Sequence, residues 1–257
     1  RVITINYAKR VEGFSRHGEF CRIMLSKEAY EIFRGIVVEE AMLKQRAFFE
    51  RFGSRGIAVL ERVVAESQAA GALVLMDAKR GDIGSTSQAY ADAYLDPASP
   101  LGCDAVTVSP YLGFGSLAPM VEACRRHGAG LFVLALTSNP EGPEVQHART
   151  AQGTVAGTML AHLRAANAGA EPVGSFGAVV GATIGSTDED LDINGPLLVP
   201  GYGAQGGTTA DLERILGAAA RWALPSSSRE VLRAGPDTTA LRDAALRGND
   251  AVRGLGA

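Results

Sequence analysis

The sequence predicts a single (β/α)8 barrel spanning residues 1–257, and three observations support this fold class. Short apolar runs recur along the chain and alternate with helix-like segments, which is the pattern of parallel βαβ units. Eight such runs can be counted, and eight units favour a closed barrel over an open sheet. A length of 257 residues, of which 46% are hydrophobic, suits one well-buried domain of this kind.

The predicted strands are short, mainly apolar runs, and runs of this kind fit strands that are buried on both faces. In chain order they are VITI from Val2, AML from Ala41, ALVLM from Ala72, AVTV from Ala105, LFVLAL from Leu131, AVV from Ala178, LLV from Leu197 and WAL from Trp222.

The segments between these runs have the spacing of amphipathic helices. In IAVLERVVAESQAA, for example, Leu60, Val63 and Val64 form an apolar stripe opposite charged residues. SLAPMVEACRRHG closes with Gly128, a plausible C-cap, and TTADLERILGAAA begins where Thr209 or its neighbour can cap a helix. No linker or internal repeat divides the chain, so one domain is predicted.

Net charge and cysteine content indicate which ligands and which cellular compartment suit the protein. The net charge is -3, so no global basic field attracts nucleic acid or an anionic membrane, and an anionic ligand needs a local site. Three cysteines without CxxC spacing argue for a reducing compartment. No signal peptide or long apolar span is apparent, and the chain starts without Met. We therefore expect a cytoplasmic protein whose true N-terminus is absent.

Charged residues follow the third predicted strand in VLMDAKRGDIGST. In an extended chain Asp77 and Lys79 project to the same side, and Asp82 follows after a turn at Gly81. A solvated loop with an incidental ion pair is the plainer interpretation. In a barrel, however, the active site lies at the carboxyl ends of the strands. These residues then join Lys44, after the second strand, and Thr137, Ser138 and Asn139, after the fifth.

The loop PGYGAQGG follows the seventh predicted strand and precedes a helix. It contains a literal GxGxxG, but its late position in the chain makes a dinucleotide site the weaker interpretation. A phosphate cradle fits better, because glycines let peptide N–H groups approach an anion and the helix near Thr209 adds its positive end. Arg229, after the eighth strand, is either part of this cradle or a surface arginine.

The sequence offers no signature of a metal site or a serine hydrolase. The four histidines lack metal-ligand spacing, and the acidic run from Asp188 to Asp192 is interpreted as a solvated loop. No GxSxG elbow is present. The predicted chemistry is therefore metal-free and cofactor-free, and it rests on two lysines and two aspartates.

DAKRGD resembles the D-x-K-x-x-D signature of orotidine 5'-phosphate decarboxylases. Further stretches resemble the bacterial branch of that family typified by mycobacterial enzymes. They are AFFERFG, LMDAKRGDIGST, SPYLGFGSL, LTSNPEG, VVGAT, LVPGYGAQGG and SREVLRAGP. The resemblance runs in order from about Ala41 to the C-terminus, whereas residues 1–40 match the family poorly.

The resemblance implies a barrel that acts as a homodimer with shared active sites and without metal or organic cofactor. It implies decarboxylation of orotidine 5'-phosphate to UMP in de novo pyrimidine biosynthesis, with Lys79 as the proton donor to C6 of the base. Lys44, Asp77, Lys79 and Asp82 match the family's charged catalytic network.

The resemblance also assigns substrate-binding roles. Ser138 matches the residue that reads the pyrimidine edge, and Pro200 lies beside the base. The residues that match the family's phosphate-binding site are Gln205, Gly206 and Gly207 through their backbone, and Arg229. Thr86, together with Asp82, matches residues that reach the neighbouring subunit's site.

Two departures from the family pattern concern the first two strands. Asn6 stands where the family has a ribose-binding aspartate, and Gln45 stands where a proline usually follows the strand-two lysine. Two alternative functions remain open from the sequence. One is a Mg2+-dependent sugar-phosphate decarboxylase or aldolase of the same barrel group, and the other is a weakly catalytic UMP-binding barrel.

Overall fold

A computed structural model describes residues 47–69, 73–203, 206–253 and 255. Its centre is a curled sheet of six parallel strands that neighbour one another in chain order. They are β1 (Leu75–Arg80), β2 (Ala105–Val108), β3 (Gly130–Leu136), β6 (Phe176–Val180), β7 (Leu197–Pro200) and β8 (Ala223–Ser226). A separate two-stranded hairpin consists of β4 (Arg149–Thr150) and β5 (Gly153–Thr154).

The third to eighth predicted strands correspond one to one to these six strands, so those predictions are confirmed. The first two, VITI and AML, lie outside the described residues. The described part is therefore an open, half-barrel portion of the predicted barrel rather than a closed one. The hairpin is absent from the sequence prediction because its exposed polar residues carry no apolar alternation.

Helices follow most strands and pack against the sheet in one core cluster. They are α1 (Ala47–Glu50), α2 (Gly53–Ala69), α3 (Gly84–Leu95), α4 (Ala118–His127), α5 (Gly142–Gln146), α6 (Val155–Ala166), α7 (Thr209–Leu216), α8 (Arg229–Leu232) and α9 (Thr238–Val252), with 3-10 turns at Phe114–Leu117 and Gly217–Trp222.

The predicted helix signals agree with the structure. Leu60, Val63 and Val64 of α2 are buried, as the apolar stripe predicts. Gly128 ends α4 in the left-handed conformation with φ 68°, which glycine adopts without steric cost. Thr208, the neighbour of Thr209, caps α7.

Apolar side chains bury both faces of the sheet. The larger core cluster lies between the strands and the helices and includes Val74 and Met76, which flank Leu75 in sequence. A second, smaller cluster takes one residue from each of five strands: Leu75, Phe132, Val179, Leu198 and Leu224. Because successive strand residues point to opposite faces, this second cluster lines the face that forms the interior of a barrel. Burial on both faces explains why the strands are continuous apolar runs.

Candidate active site

The charged residues of DAKRGD lie at the carboxyl end of β1. Because the strands of the main sheet are parallel, their carboxyl ends lie at the same edge of the sheet. The ammonium Nζ of Lys79 is 2.5 Å from both carboxylate oxygens of Asp77. The Asp77 side chain keeps 14% of its surface exposed and that of Lys79 keeps 32%, so the pair is half-buried yet open to a ligand. The prediction that these two side chains project together is confirmed.

The regular extended strand expected to align the two side chains is not observed, because β1 is irregular here. Met76 pairs with Val106 and Arg80 with Val108, so three residues of β1 face one residue of β2. Lys79 occupies the left-handed region with φ 48°. A β-bulge, rather than the period of two of an extended strand, brings the two charges together. For a residue with a side chain such a conformation costs on the order of 1–3 kcal/mol and is typical of functional sites.

Thr107, the residue of β2 that faces the bulge, contacts both charged residues. Its hydroxyl accepts a hydrogen bond from the peptide N–H of Lys79 at 3.0 Å and donates one to Oδ1 of Asp77 at 2.7 Å. The residue is fully buried. Thr107 is not among the site residues predicted from the sequence, although a hydroxyl in the middle of the apolar run AVTV is a signal that points to it.

Gly81 lets the end of β1 lie directly against the end of β2. A Cβ atom at this position would lie 2.3 Å from the carbonyl oxygen of Ser109, well inside van der Waals contact. The N–H of Ser109 donates to the carbonyl of Arg80 at 2.8 Å and joins the two strand ends. A side chain at Gly81 would therefore push the bulge away from β2.

The third charged residue of the motif, Asp82, lies apart from the pair. Its Oδ1 accepts from the N–H of Ile83 at 2.8 Å. Among the residues that the structure describes, Asp82 forms no ion pair, so of the two aspartates only Asp77 contacts Lys79 within one chain. Thr86, in the first turn of α3, is exposed.

Arg80, the remaining charge of the motif, is directed elsewhere. Its guanidinium forms an ion pair with Glu50 of α1 and lies over the ring of Tyr90, 5.8 Å from the centroid. It therefore fastens the strand end to neighbouring helices rather than adding a second cation to the Asp77–Lys79 pair.

The loop after β3 carries Ser138 in an exposed position next to β6. Gly181, which follows β6, approaches it so closely that a Cβ atom there would lie 2.0 Å from the Ser138 hydroxyl oxygen. The neighbouring Thr137 is held by the Gln146 amide, which accepts from the Thr137 N–H at 2.9 Å and donates to its hydroxyl at 2.6 Å. The backbone next to Ser138 is thus braced by α5.

The loop after β7 is folded on itself. The N–H of Gly206 donates to the carbonyl of Gly203 at 2.7 Å, and the N–H of Gly207 donates to that of Gly201 at 3.1 Å. Gly203 and Gly206 have φ angles of 72° and 94°, which explains the glycine content. Pro200 ends the strand, and its carbonyl accepts from the N–H of Ala182 at 2.9 Å.

The start of α7, which the sequence predicts to add its positive end to a phosphate site, carries an acidic side chain. The carboxylate of Asp211 already lies there and forms a capping box with Thr208. Hydrogen bonds from the Thr208 side chain, and then from Arg214, lower the pKa of Asp211 to about 2. This helix end therefore carries a negative charge of its own, and phosphate binding beside it stays a prediction.

Asn6, Lys44 and Gln205 lie outside the described residues. Arg229 begins α8, and the position of its side chain is likewise outside what the structure describes.

The described part of the chain shows no metal site, no membrane span, no reactive thiol and no dinucleotide site. That part contains no group of three or more His, Cys, Asp or Glu residues that could hold a metal ion. None of its helices is long and apolar enough to span a membrane. Cys103 and Cys124 are buried, and burial raises the pKa of each thiol to about 12. The sequential strand order also lacks the reversal at which a Rossmann fold binds a dinucleotide.

Comparison with known proteins places this geometry in a family. Residues 27–244 match the family model described as Orotidine 5'-phosphate decarboxylase / HUMPS family. A Nocardioides sp. JS614 protein named orotidine 5'-phosphate decarboxylase is 69% identical over 230 residues, which cover 88% of this chain and 84% of that protein. A Streptomyces coelicolor protein of the same name is 68% identical over 210 residues, covering 80% and 76% respectively.

Solved structures agree with these relatives. A crystal structure assigned as an orotidine 5'-phosphate decarboxylase of Streptomyces avermitilis superposes with a TM-score of 0.81 at 63% identity, covering 88% of this chain and 82% of that one. The Leishmania donovani OMP decarboxylase structure gives a TM-score of 0.63 at 32% identity, with 81% and 79% covered.

Proposed function

The chain belongs to the orotidine 5'-phosphate decarboxylase / HUMPS family, and we propose that it converts orotidine 5'-phosphate to UMP and CO2 in pyrimidine biosynthesis. Its fold is the (β/α)8 barrel of that family, of which the described residues supply six strands. The observation that carries the proposal is the Asp77–Lys79 pair at the carboxyl end of β1. The high identity to decarboxylases favours this reaction over the Mg2+-dependent alternative and over a weakly catalytic binding protein.

The reaction breaks the bond between C6 of the pyrimidine and its carboxylate, and the electron pair stays on C6. The site must therefore favour negative charge at C6 over charge on the departing carboxylate. Lys79 supplies a cation for the developing charge and then transfers a proton from Nζ to C6. Water afterwards restores the proton to Lys79.

Asp77 holds the ammonium of Lys79 through both of its oxygens, so the cation keeps one position before substrate arrives. A substrate carboxylate beside Asp77 would also experience like-charge repulsion, which ends when CO2 leaves. Lys44 completes the network in this proposal by balancing the aspartates near the ribose, and Asn6 hydrogen-bonds a ribose hydroxyl.

The remaining substrate contacts are assigned to three loops. Ser138 reads the pyrimidine edge and Pro200 lies beside the base. Gln205 and Arg229 hold the phosphate, together with the backbone of Gly206–Gly207. Because the N–H groups of the two glycines bond within their own loop, phosphate binding by these groups requires the loop to rearrange. Binding energy from the remote phosphate would drive that change.

The proposal includes a cytoplasmic homodimer in which Asp82 and Thr86 complete the partner's site. Two observations support it. Asp82 lies apart from Lys79 of its own chain and forms no ion pair with another described residue, as expected of a residue that serves the partner's site. Large apolar side chains also stand exposed at the same end of the sheet, with Ile83 62%, Tyr111 77% and Leu112 53% exposed, as is typical of association surfaces.

A direct assay tests the function. The absorbance change that accompanies loss of orotidine 5'-phosphate is followed with the purified chain, with and without a chelator, and UMP formation is verified chromatographically. We expect turnover that the chelator does not change. Loss of turnover on chelation would favour the Mg2+-dependent enzyme, and tight UMP binding without turnover would favour the binding protein.

A further inference from the structure

We infer that Thr107 is a positioning residue that sets the geometry of the Asp77–Lys79 pair through its single hydroxyl. This inference rests on the proposed function, because it concerns how the decarboxylating pair is held. Thr107 does not face the substrate; it acts through the two residues that do.

The hydrogen bonds of Thr107 have fixed directions. A hydroxyl has one proton to donate and lone pairs to accept with. Here the proton is directed at Oδ1 of Asp77, so a lone pair faces the peptide N–H of Lys79. Because Thr107 is fully buried, its hydroxyl is shielded from water. One side chain thus constrains the side chain of the aspartate and the backbone of the lysine.

The backbone bond supports an unusual conformation. Lys79 lies in the left-handed region, in a bulge where three residues of β1 face Thr107 alone. The acceptor of its N–H is the Thr107 hydroxyl rather than a carbonyl. That bond favours the bulged path of the chain, and the bulge in turn directs the lysine side chain towards Asp77.

The bond to Asp77 fixes the carboxylate. A hydrogen bond to an ionised oxygen is short and directional, and it limits rotation of the carboxylate about its Cβ–Cγ bond. Each Asp77 oxygen is 2.5 Å from Nζ of Lys79, so the plane of the carboxylate determines where the ammonium lies. Proton transfer to C6 is sensitive to that position, since misplacement by about 1 Å can reduce a rate by about 10²-fold.

A purely structural role would give a different pattern of effects. If Thr107 only helped β2 to fold, its substitution would lower stability and the amount of active protein, while each folded molecule would turn over normally. A positioning role instead lowers kcat in the folded protein and leaves nucleotide binding largely unchanged.

The test compares two substitutions with a matched control. Thr107→Val keeps the shape and removes the hydroxyl, and Thr107→Ser keeps the hydroxyl. Thr158→Val is the control, because it removes a half-buried threonine hydroxyl whose one hydrogen bond among the described residues goes to the carbonyl of Thr154, away from the pair. For each variant, kcat, KM for orotidine 5'-phosphate, Kd for UMP, the melting temperature and hydrogen exchange of the Lys79 amide are measured.

We expect Thr107→Val to lower kcat by about 10- to 100-fold with KM and Kd within about three-fold, and to accelerate exchange of the Lys79 amide. Thr107→Ser should keep kcat within about five-fold of the wild type, and Thr158→Val should change neither kcat nor the Lys79 exchange. Near-normal kcat in folded Thr107→Val would overturn the inference, as would an equal loss of kcat in Thr107→Ser.

Failure of the proposed function is separable from failure of this inference. If the wild-type chain does not decarboxylate orotidine 5'-phosphate, the function is refuted by that measurement alone. The exchange rate of the Lys79 amide then still tests whether Thr107 positions Lys79. An unchanged rate in both Thr107→Val and Thr158→Val, relative to the wild type, would overturn the inference.

Discussion

At the scale of single residues, Lys79 carries the largest share of the proposed chemistry. Its ammonium is held by both oxygens of Asp77, so removing it deletes the proton donor and leaves a carboxylate without its cation. We expect Lys79→Ala to lower kcat by at least the 10²–10⁴-fold that general acid catalysis contributes. The fold should persist, because the side chain lies at a strand end with 32% of its surface exposed.

The decarboxylation assay and a thermal melt of the same preparation check this expectation. Arg62→Ala is the control, since it removes an exposed cation of α2 that pairs with Glu66. Near-normal kcat in folded Lys79→Ala would refute the role given to the lysine.

The sequence identifies some site residues better than others. Asp77 and Lys79 can be predicted because charges directly after a buried strand are conspicuous when the fold is a barrel. Thr107 cannot be recognised as easily, because a β-branched threonine is also an ordinary strand residue. Its role depends on the bulge in β1, and the left-handed backbone of Lys79 results from pairing with another strand, which local sequence does not encode.

At the scale of elements, the close contact between the ends of β1 and β2 determines whether the bulge can form. Gly81→Ala would place a Cβ atom 2.3 Å from the Ser109 carbonyl oxygen, so the strand ends must separate. We expect a loss of about 1–3 kcal/mol in the free energy of unfolding, the usual cost of overpacking, and a lower kcat.

Chemical denaturation and steady-state kinetics measure these two effects. Gly115→Ala is the matched control, because a Cβ atom there meets nothing within 4 Å. Equal behaviour of the two variants would show that close contact at Gly81 is unimportant.

We propose that Arg229, the first residue of α8, binds the substrate phosphate. Arg229→Ala should weaken binding of UMP by about 1.5–3 kcal/mol, the scale of a hydrogen bond to a charged group. Uridine, which lacks the phosphate, should bind almost unchanged. Calorimetric titration of both ligands measures the difference, and equal losses for the two would make Arg229 a structural residue.

The sequence predicts the buried strands better than it predicts exposed hairpins and helix termini. Six predicted strands are confirmed because burial on both faces leaves continuous apolar runs. The β4–β5 hairpin is polar and exposed, so it gives no such pattern. The acidic member of the capping box at the start of α7 is likewise not predicted: Asp211 of TTADLERILG is the third residue of the helix, and its carboxylate bonds with Thr208.

At the scale of the whole molecule, the proposed active site needs two chains. Within one chain Lys79 contacts Asp77, while Asp82 forms no ion pair with another described residue. The exposed side chains of Ile83, Tyr111 and Leu112 at the same end of the sheet fit an association surface. A dimer that places Asp82 beside the partner's Lys79 would satisfy both observations.

The activity of mixed dimers tests the shared active site most directly. A Lys79→Ala chain and an Asp82→Ala chain are purified with different tags, assayed separately, allowed to exchange subunits, and assayed again. Random pairing makes half of the dimers mixed, and one site in each mixed dimer combines an intact Lys79 with an intact Asp82, so about a quarter of all sites become native. We predict two inactive parents and a mixture with about a quarter of wild-type activity. Near-normal activity in either parent would contradict the catalytic roles, and no recovery after exchange confirmed by the tags would contradict the shared site.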